Sequence, residues 1–176
     1  MALLLPVVGA GAVEQHMVTQ EYDLKAAFLF NFAQFVEWPA EAFGEARAPI
    51  VIGVLGNDPF GRSLDDIVAG ETIRSRPLVV RRYQSIEQAD SCHILFISSS
   101  EAGQLEHVLK TLGHRSVLTV GETRDFTSRA GMIGFDVSQK HLRLRINLAA
   151  AQDARLTISS KLLRQAQIVG SVRTTH

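Results

Sequence analysis

The stretch Ile50-Val51-Ile52-Gly53-Val54-Leu55-Gly56 is an uninterrupted apolar run, and the turn Asn57-Asp58-Pro59-Phe60-Gly61 follows it directly. A short apolar run without polar alternation is typical of a strand that is buried on both faces of a parallel sheet. Asp58 suits the N-cap of a helix and Pro59 suits its first position, and the helix is expected to reach about Val68. This succession of strand, turn and helix predicts an α/β fold.

Further strands and helices alternate along the rest of the chain. The predicted strands are Leu78–Arg81, Cys92–Ile97 and Val117–Val120, and the predicted helices are 98–112, 148–154 and one from Ser159 or Ser160 through Ala166. Ser98 and Glu101 have the spacing of a capping box. Met132–Val137 and Leu142–Ile146 are separated by a short polar segment, which predicts an antiparallel hairpin. The sequence therefore predicts a three-layer, Rossmann-like α/β fold, with a mostly parallel sheet, the hairpin at its edge, and helices on both faces.

A long segment from Glu21 to Trp38, rich in Ala, Leu and Phe, is expected to be helical and to stop before Pro39. Its apolar positions cover more than the stripe that one sheet contact needs. The surplus surface is expected to meet either a C-terminal segment of the same chain or a second subunit. Phe30 and Trp38 are the candidate partner-binding residues, because aromatic side chains are common interface anchors. Trp38 is equally suited to a core position next to Pro39.

The sequence divides into three parts. Residues 1–20 are interpreted as a signal-peptide remnant and a flexible polar tether, since Leu3–Val8 is apolar and Ala10-Gly11-Ala12 resembles a signal-peptidase site. An ordinary N-terminal strand is the alternative. Residues 21–170 are expected to form a single α/β domain, and residues 171–176 a C-terminal tail. The protein is therefore expected to be exported.

The composition argues against several classes of function. Lys and Arg (18) balance Asp and Glu (18), so no general attraction to nucleic acid is expected. No glycine motif for phosphate binding is present, and Ser98–Ser100 lack the flanking glycine of a nucleophile elbow. The six histidines lack the spacing of metal ligands. The sequence therefore predicts that the protein is not an enzyme and that it needs no cofactor or metal.

One set of polar residues follows the predicted strands. If the first and third predicted strands are neighbours, these residues gather at one edge of the sheet, where open α/β sheets bind ligands. The candidate ligand-binding residues are Asn57, Asp58, Ser98, Ser99 and Glu122. The same residues have an alternative role as helix caps and turn formers.

Cys92 is the only cysteine of the chain, so no intrachain disulfide can form. It stands at the start of a predicted buried strand. A cysteine in such a place usually packs as a small apolar residue, and a reactive thiol is the minority interpretation.

Six blocks of the sequence occur in the order found in a known family. They are Tyr22–Pro39, Val54–Gly61, Cys92–Ile97, Gly131–Ile133, Ile146–Leu148 and Ile158–Arg164. Together they resemble the YfiR-like family of periplasmic regulatory proteins, over nearly all of the chain that follows the predicted tether.

The resemblance implies a function in signalling. It implies that the protein binds the periplasmic sensor region of a membrane-anchored diguanylate cyclase and represses it, which lowers cyclic di-GMP signalling and biofilm formation. It also implies release by an outer-membrane lipoprotein, and a homodimer. The best-known member carries paired cysteines, whereas this chain has Cys92 alone, so redox control is not expected here. The alternative function is a periplasmic small-ligand receptor that uses the strand-end residues.

Overall fold

The central sheet contains eight strands and is mostly parallel. A computed structural model describes residues 10–138 and 141–170 of the chain. Its strands are β1 (Val36–Glu37), β2 (Ile50–Leu55), β3 (Thr72–Ile73), β4 (Arg76–Tyr83), β5 (Ile94–Ile97), β6 (Leu118–Gly121), β7 (Ile133–Ser138), β8 (His141–Asn147), β9 (Thr157–Ile158) and β10 (Ala166–Val169). The order in the large sheet is β10-β8-β7-β6-β5-β2-β4-β3, and β1 pairs with β9 in a small separate sheet.

The helices cover both faces of this sheet. They are α1 (Ala10–Phe35), α2 (Ser63–Val68), α3 (Leu105–Leu112), α4 (Leu148–Asp153) and α5 (Ser160–Leu163), with 3-10 helices at Ala40–Ala42, Ile86–Gln88 and Ser99–Gln104. Side chains of α1, α2, α4 and α5 pack on one face of the sheet, and those of α3 pack on the other. The predicted three-layer α/β fold is confirmed.

The strand β2 is buried along its whole length, as its apolar run predicts. It pairs in parallel with β4 on one side and with β5 on the other. Successive residues of β5 then point to opposite faces. Ile94 and Phe96 join the core beneath α1, whereas Leu95 and Ile97 join the core beneath α3. An apolar run without alternation is therefore the consequence of helices on both sides.

The hairpin of β7 and β8 lies one strand in from the edge of the sheet, where the prediction placed it at the edge itself. The outermost strand is β10, which pairs in parallel with β8. The last helix was expected to reach Ala166, but α5 ends at Leu163 and Gln165 N–H donates to the Leu162 carbonyl. Ala166 then pairs with Leu144, so contact with β8 determines the structure of this segment.

The opening helix begins before its predicted start at Glu21 and ends before its predicted end at Trp38. Residues 10–20, which include the predicted flexible tether, are the first turns of α1. This stretch contains good helix formers such as Glu14, Gln15 and Met17, and its polar character does not interrupt the helix. The helix ends at Phe35, because Val36 and Glu37 pair with β9. The apolar run of the predicted signal-peptide remnant and the predicted C-terminal tail lie outside the described residues.

The segment that follows α1 is fixed in place by hydrogen bonds and ring contacts of His93, a residue that is 5% exposed. Its Nδ1 accepts a hydrogen bond of 3.1 Å from the Val51 N–H. The neutral ring therefore carries its proton on Nε2, which donates to the Ala42 carbonyl at 3.1 Å. The Trp38 indole N–H donates to the His93 carbonyl, and the Phe43 ring stacks on the imidazole with centroids 4.5 Å apart. The segment after α1 thus depends on a neutral histidine.

We expect the stability of the fold to fall in mild acid because of this histidine. Burial, and then the charges of Arg76 and Arg81, lower the pKa of His93 below its usual 6.5. The unfolded chain therefore takes up a proton that the folded chain resists, so the free energy of unfolding decreases as the pH falls below about 6.5. Urea titrations over a pH series will measure the slope. His93→Gln should flatten it, whereas His107→Gln, at an exposed position, should leave it unchanged. An identical slope in wild type and His93→Gln would contradict the prediction.

Candidate functional site

The carboxyl ends of the central strands surround one cavity. The chain leaves β2 on one side and returns as β5 on the other, so the strand order reverses between these neighbours. Ligands of open α/β sheets bind at such a point. A cavity of about 410 Å³ lies there, lined by Tyr22, Asn57, Asp58, Pro59, Ser98, Ser99, Ser100 and Glu122. The structure brings together all five residues that the sequence places at this edge.

A second cavity continues the first beneath α1. Its volume is about 350 Å³, and it shares Tyr22, Ser99 and Glu122 with its neighbour. Its other lining residues are Glu21, Lys25, Arg124, Phe135, Asp136 and Val137. We call the two cavities together the strand-end crevice. One of its walls is a helix and the other is the end of a parallel sheet.

Lys25 is a buried cation in this crevice, with 2% of its side chain exposed. Its Nζ lies 2.8 Å from Glu122 Oε2 and 2.5 Å from Glu21 Oε1. Tyr22 donates its hydroxyl proton to the same Glu122 oxygen at 3.1 Å, and the ammonium lies 4.4 Å from the centre of the Tyr22 ring. Burial and the negative charge of Glu122 raise the pKa of Tyr22, so the phenol stays protonated and acts as a donor. We call Glu21, Tyr22, Lys25 and Glu122 the lysine cluster.

The sequence prediction did not include Tyr22 and Lys25. The available signal was a lysine in the middle of an otherwise apolar helical segment. Such a residue is expected either on the solvent face or, with a partner, in the core. The partner, Glu122, lies 97 positions away in the sequence, so only the fold brings the two together.

Several crevice residues also fill the alternative role of turn formers. Asp58 was expected to cap a helix, but it instead accepts the Phe60 N–H in a tight turn, and α2 begins only at Ser63. Its other oxygen accepts a hydrogen bond of 2.7 Å from Arg82. Ser100 Oγ accepts the Asn57 N–H, which joins the loop after β2 to the loop after β5.

The predicted capping box of Ser98 and Glu101 does not form. The Ser98 N–H, which Glu101 would have to accept, donates to the Leu55 carbonyl and so extends the pairing of β5 with β2. Glu101 instead accepts the Ser100 hydroxyl. Ser98 does act as a cap, because its hydroxyl accepts the Ser100 N–H. The N–H groups of Ser98 and Ser100 are therefore already hydrogen-bonded within the protein.

Phe30 and Trp38 lie outside the crevice. Each is half-buried and packs against the core beneath α1. The large exposed apolar side chains of α1 are found nearer its N-terminus, at Val13, Met17, Val18 and Leu24. The half-buried aromatic side chains and the exposed aliphatic side chains are thus at different places.

Cys92 is buried, as its position before β5 predicts. Burial raises the pKa of its thiol to about 12, so almost no thiolate is present at neutral pH. The sulfur contacts the Ile94 carbonyl at 2.9 Å. The side chain therefore fills space in the core beneath α3.

Two further observations concern the described residues alone. Within residues 10–138 and 141–170, no group of three or more His, Cys, Asp or Glu side chains could hold a metal ion. None of the helices described in those ranges is both long and apolar enough to cross a membrane.

A family model described as YfiR/HmsC-like matches residues 22–167, which is most of the chain. The chain belongs to the YfiR/HmsC-like family. The resemblance inferred from the six sequence blocks is therefore confirmed. The matched range begins at Tyr22 and includes Lys25 and Glu122, so three members of the lysine cluster lie inside this YfiR/HmsC-like domain.

Similarity to individual proteins is more distant. One similar solved structure is the crystal structure of a conserved domain protein from Vibrio cholerae O1 biovar El Tor str. N16961. It is 16% identical, with a TM-score of 0.48, and the match covers 68% of this chain and 54% of that one. The chain thus spans about half the length of that protein. No curated protein matches the sequence.

We expect the lysine cluster to be essential for stability. Lys25→Met leaves the buried Glu122 carboxylate without its cation, and removing one partner of a buried ion pair costs about 3–5 kcal/mol. Urea denaturation will measure the free energy of unfolding. Arg129→Gln breaks an exposed ion pair with Asp125 and should cost less than about 1 kcal/mol.

The double variant Lys25→Met, Glu122→Gln tests whether the loss of stability comes from the unpaired charge. It removes both members of the pair and should be more stable than the sum of the two single changes indicates. If Lys25→Met unfolds no more easily than Arg129→Gln, the ion pair does not hold α1 on the sheet.

We expect Cys92 to be chemically inert in the folded protein. Iodoacetamide should modify it slowly in buffer and rapidly in urea, because only unfolding exposes the thiol and lowers its pKa. Cys92→Ala should cost about 1–2 kcal/mol through lost packing. Oxidant should leave partner binding unchanged in both proteins. If oxidant changes partner binding in the wild type but not in Cys92→Ala, the prediction is wrong, and an intermolecular disulfide would then control binding.

Proposed function

We propose that the protein is a periplasmic regulator that binds the periplasmic sensor region of a membrane-anchored diguanylate cyclase and inhibits the enzyme. The result is a lower concentration of cyclic di-GMP and less biofilm. Membership of the YfiR/HmsC-like family over residues 22–167 carries this proposal. In this proposal the protein acts by occupying its partner, and it performs no chemistry of its own.

Three further steps belong to the proposal. Residues 1–12 are removed on export, which N-terminal sequencing of the protein from its native host will test. An outer-membrane lipoprotein competes for the protein and so releases the cyclase. The protein forms a homodimer, which sedimentation of the mature chain will test.

Deletion of the gene in the native host tests the central proposal. Cyclic di-GMP and biofilm mass should rise in the deletion strain, and the intact gene should restore both. The mature chain should also retain the purified periplasmic region of the cyclase on a column. A deletion that leaves cyclic di-GMP unchanged would contradict the proposed function.

We propose Phe30 and Trp38 as anchors for this partner. Phe30→Ala and Trp38→Ala should each weaken binding to the cyclase's periplasmic region by about 2 kcal/mol or more, which is typical of an interface aromatic. Both residues also touch the core, so a smaller loss of thermal stability is expected. Isothermal titration calorimetry below the melting temperature separates the two effects.

Phe32→Ala is the matched control on the same helix. Its ring is fully buried, so truncation should lower stability by about 3–5 kcal/mol but leave binding by the folded fraction unchanged. If Phe30→Ala and Trp38→Ala behave in the same way as Phe32→Ala, both are core residues. The partner surface must then be sought at the turns after β2 and β5.

A second candidate function is supported by the geometry of the crevice. Asn57, Asp58, Ser98, Ser99 and Glu122 line one cavity at the point where the strand order reverses. We propose, as the alternative, that a small polar molecule binds there and that the protein acts as its receptor. Ser99→Trp would fill the crevice, whereas Ser128→Trp, on an exposed loop, would not. A metabolite panel read by thermal shift will distinguish the two, since only a ligand of the crevice loses its effect in Ser99→Trp.

A further inference from the structure

Residues 10–24 of α1 carry most of the large exposed apolar side chains in the described part of the chain. Six large apolar side chains are exposed in residues 10–138 and 141–170, and four of them lie there: Val13, Met17, Val18 and Leu24. The other two, Val137 and Ile168, stand alone on separate strands. Single exposed apolar residues are ordinary, but a group on one helix marks an interaction surface.

Three of the four lie along one line of the helix. At about 100° per residue, Val13, Met17 and Leu24 fall within a sector of about 40°. Leu29 and Phe32 are fully buried and lie on the face that packs on the sheet, whose centre is about 110° away from this line. A surface helix normally presents polar residues on that side. Met17 and Leu24 are 44% and 47% exposed and are seven residues apart, the repeat by which packed helices meet. We call Val13, Met17 and Leu24 the outer stripe.

The helix around the outer stripe has little support from the rest of the chain. Every residue from 13 to 20 is exposed. Helices shorter than about 12–15 residues are marginal in water when nothing packs on them. A second element that covers the outer stripe would supply the missing packing.

The charges beside the stripe decide which element fits. Glu14 and Glu21 are seven residues apart and flank the stripe on the same side, and Asp23 lies on the other side. Lys25 pairs with Glu21 from inside the crevice, and no ion pair is formed by Glu14 with any described residue. A second copy of α1 would bring acidic flanks against acidic flanks. A helix with basic flanks would find both apolar and charge complementarity.

We propose that the outer stripe is a docking site for an amphipathic helix of another protein, with apolar residues on one face and Lys or Arg beside them. The apolar face would cover Val13, Met17 and Leu24, and the basic residues would pair with Glu14 and Glu21. This surface shares only Glu21 with the crevice, and it is separate from Phe30 and Trp38. The inference rests on the proposed function only in that the protein has a protein partner.

Two synthetic peptides test the proposal without the cyclase. Both are amphipathic helices with leucine on one face, and one has lysine at the flanking positions where the other has glutamate. Fluorescence anisotropy of the labelled peptides measures binding to the full chain. The lysine peptide should bind, and the glutamate peptide should bind roughly tenfold more weakly or worse, because like charges then oppose each other. Added salt should weaken the binding of the lysine peptide, because it screens the charge pairs.

Variants assign the binding to the outer stripe. Met17→Gln with Leu24→Gln should abolish binding of the lysine peptide, and Glu14→Gln should weaken it severalfold. Ile168→Gln changes an equally open side chain, 40% exposed, on β10 and should leave binding unchanged. All these side chains are exposed, so melting temperatures should not move. Amides of residues 13–20 should exchange rapidly in the free chain and gain protection with the lysine peptide bound.

Three outcomes overturn the proposal. The first is that neither peptide binds, and the second is that both bind equally. The third is that the free chain sediments as a dimer that Met17→Gln with Leu24→Gln converts to a monomer, in which case a second copy occupies the stripe. Because the assay contains no cyclase, its failure leaves the proposed function untouched, and a failed gene deletion leaves this surface untouched.

Discussion

A buried ammonium group joins the opening helix to the carboxyl end of the central sheet. Lys25 reaches from the opening helix to Glu122 at the end of β6, and Glu21 completes its neutralisation from the helix itself. Removing such a group from water is costly unless both charge and hydrogen bonds are satisfied. The ion pair therefore fixes the position of the helix along the sheet. Tyr22 then faces the crevice, and the apolar face of the helix packs on β5. The cavities, the core beneath α1 and the exit past Trp38 all depend on that placement.

Those parts of the fold that local sequence dictates could be predicted. The strands β2 and β5 are apolar without interruption because helices cover both faces, and this signal needs no tertiary knowledge. The crevice residues followed from the same signal, because the ends of neighbouring parallel strands must meet. The family blocks added the identity of the domain, which no single motif of the chain carries.

Most of the missed features depend on contacts between distant residues. The strand β10 forms because Ala166 and its neighbours pair with β8. The helix α5 is so short that its sequence contains no signal for where it ends. The capping box failed because the Ser98 N–H is taken by Leu55 of the neighbouring strand. Lys25 could be noticed but not interpreted, since its partner is far away in the sequence. The predicted tether is helical because polar composition alone does not break a helix.

The opening helix also joins two surfaces that would otherwise be independent. Leu24 lies on its outer stripe, and the next residue, Lys25, lines the crevice about 100° further round the helix. A molecule that draws Lys25 away from its carboxylates would change the position or the order of that same turn. Thermodynamic linkage makes such an effect reciprocal, so a helix seated on the outer stripe would alter the affinity of the crevice by the same factor. One turn of helix is thus the shortest physical connection between the outer stripe and the crevice.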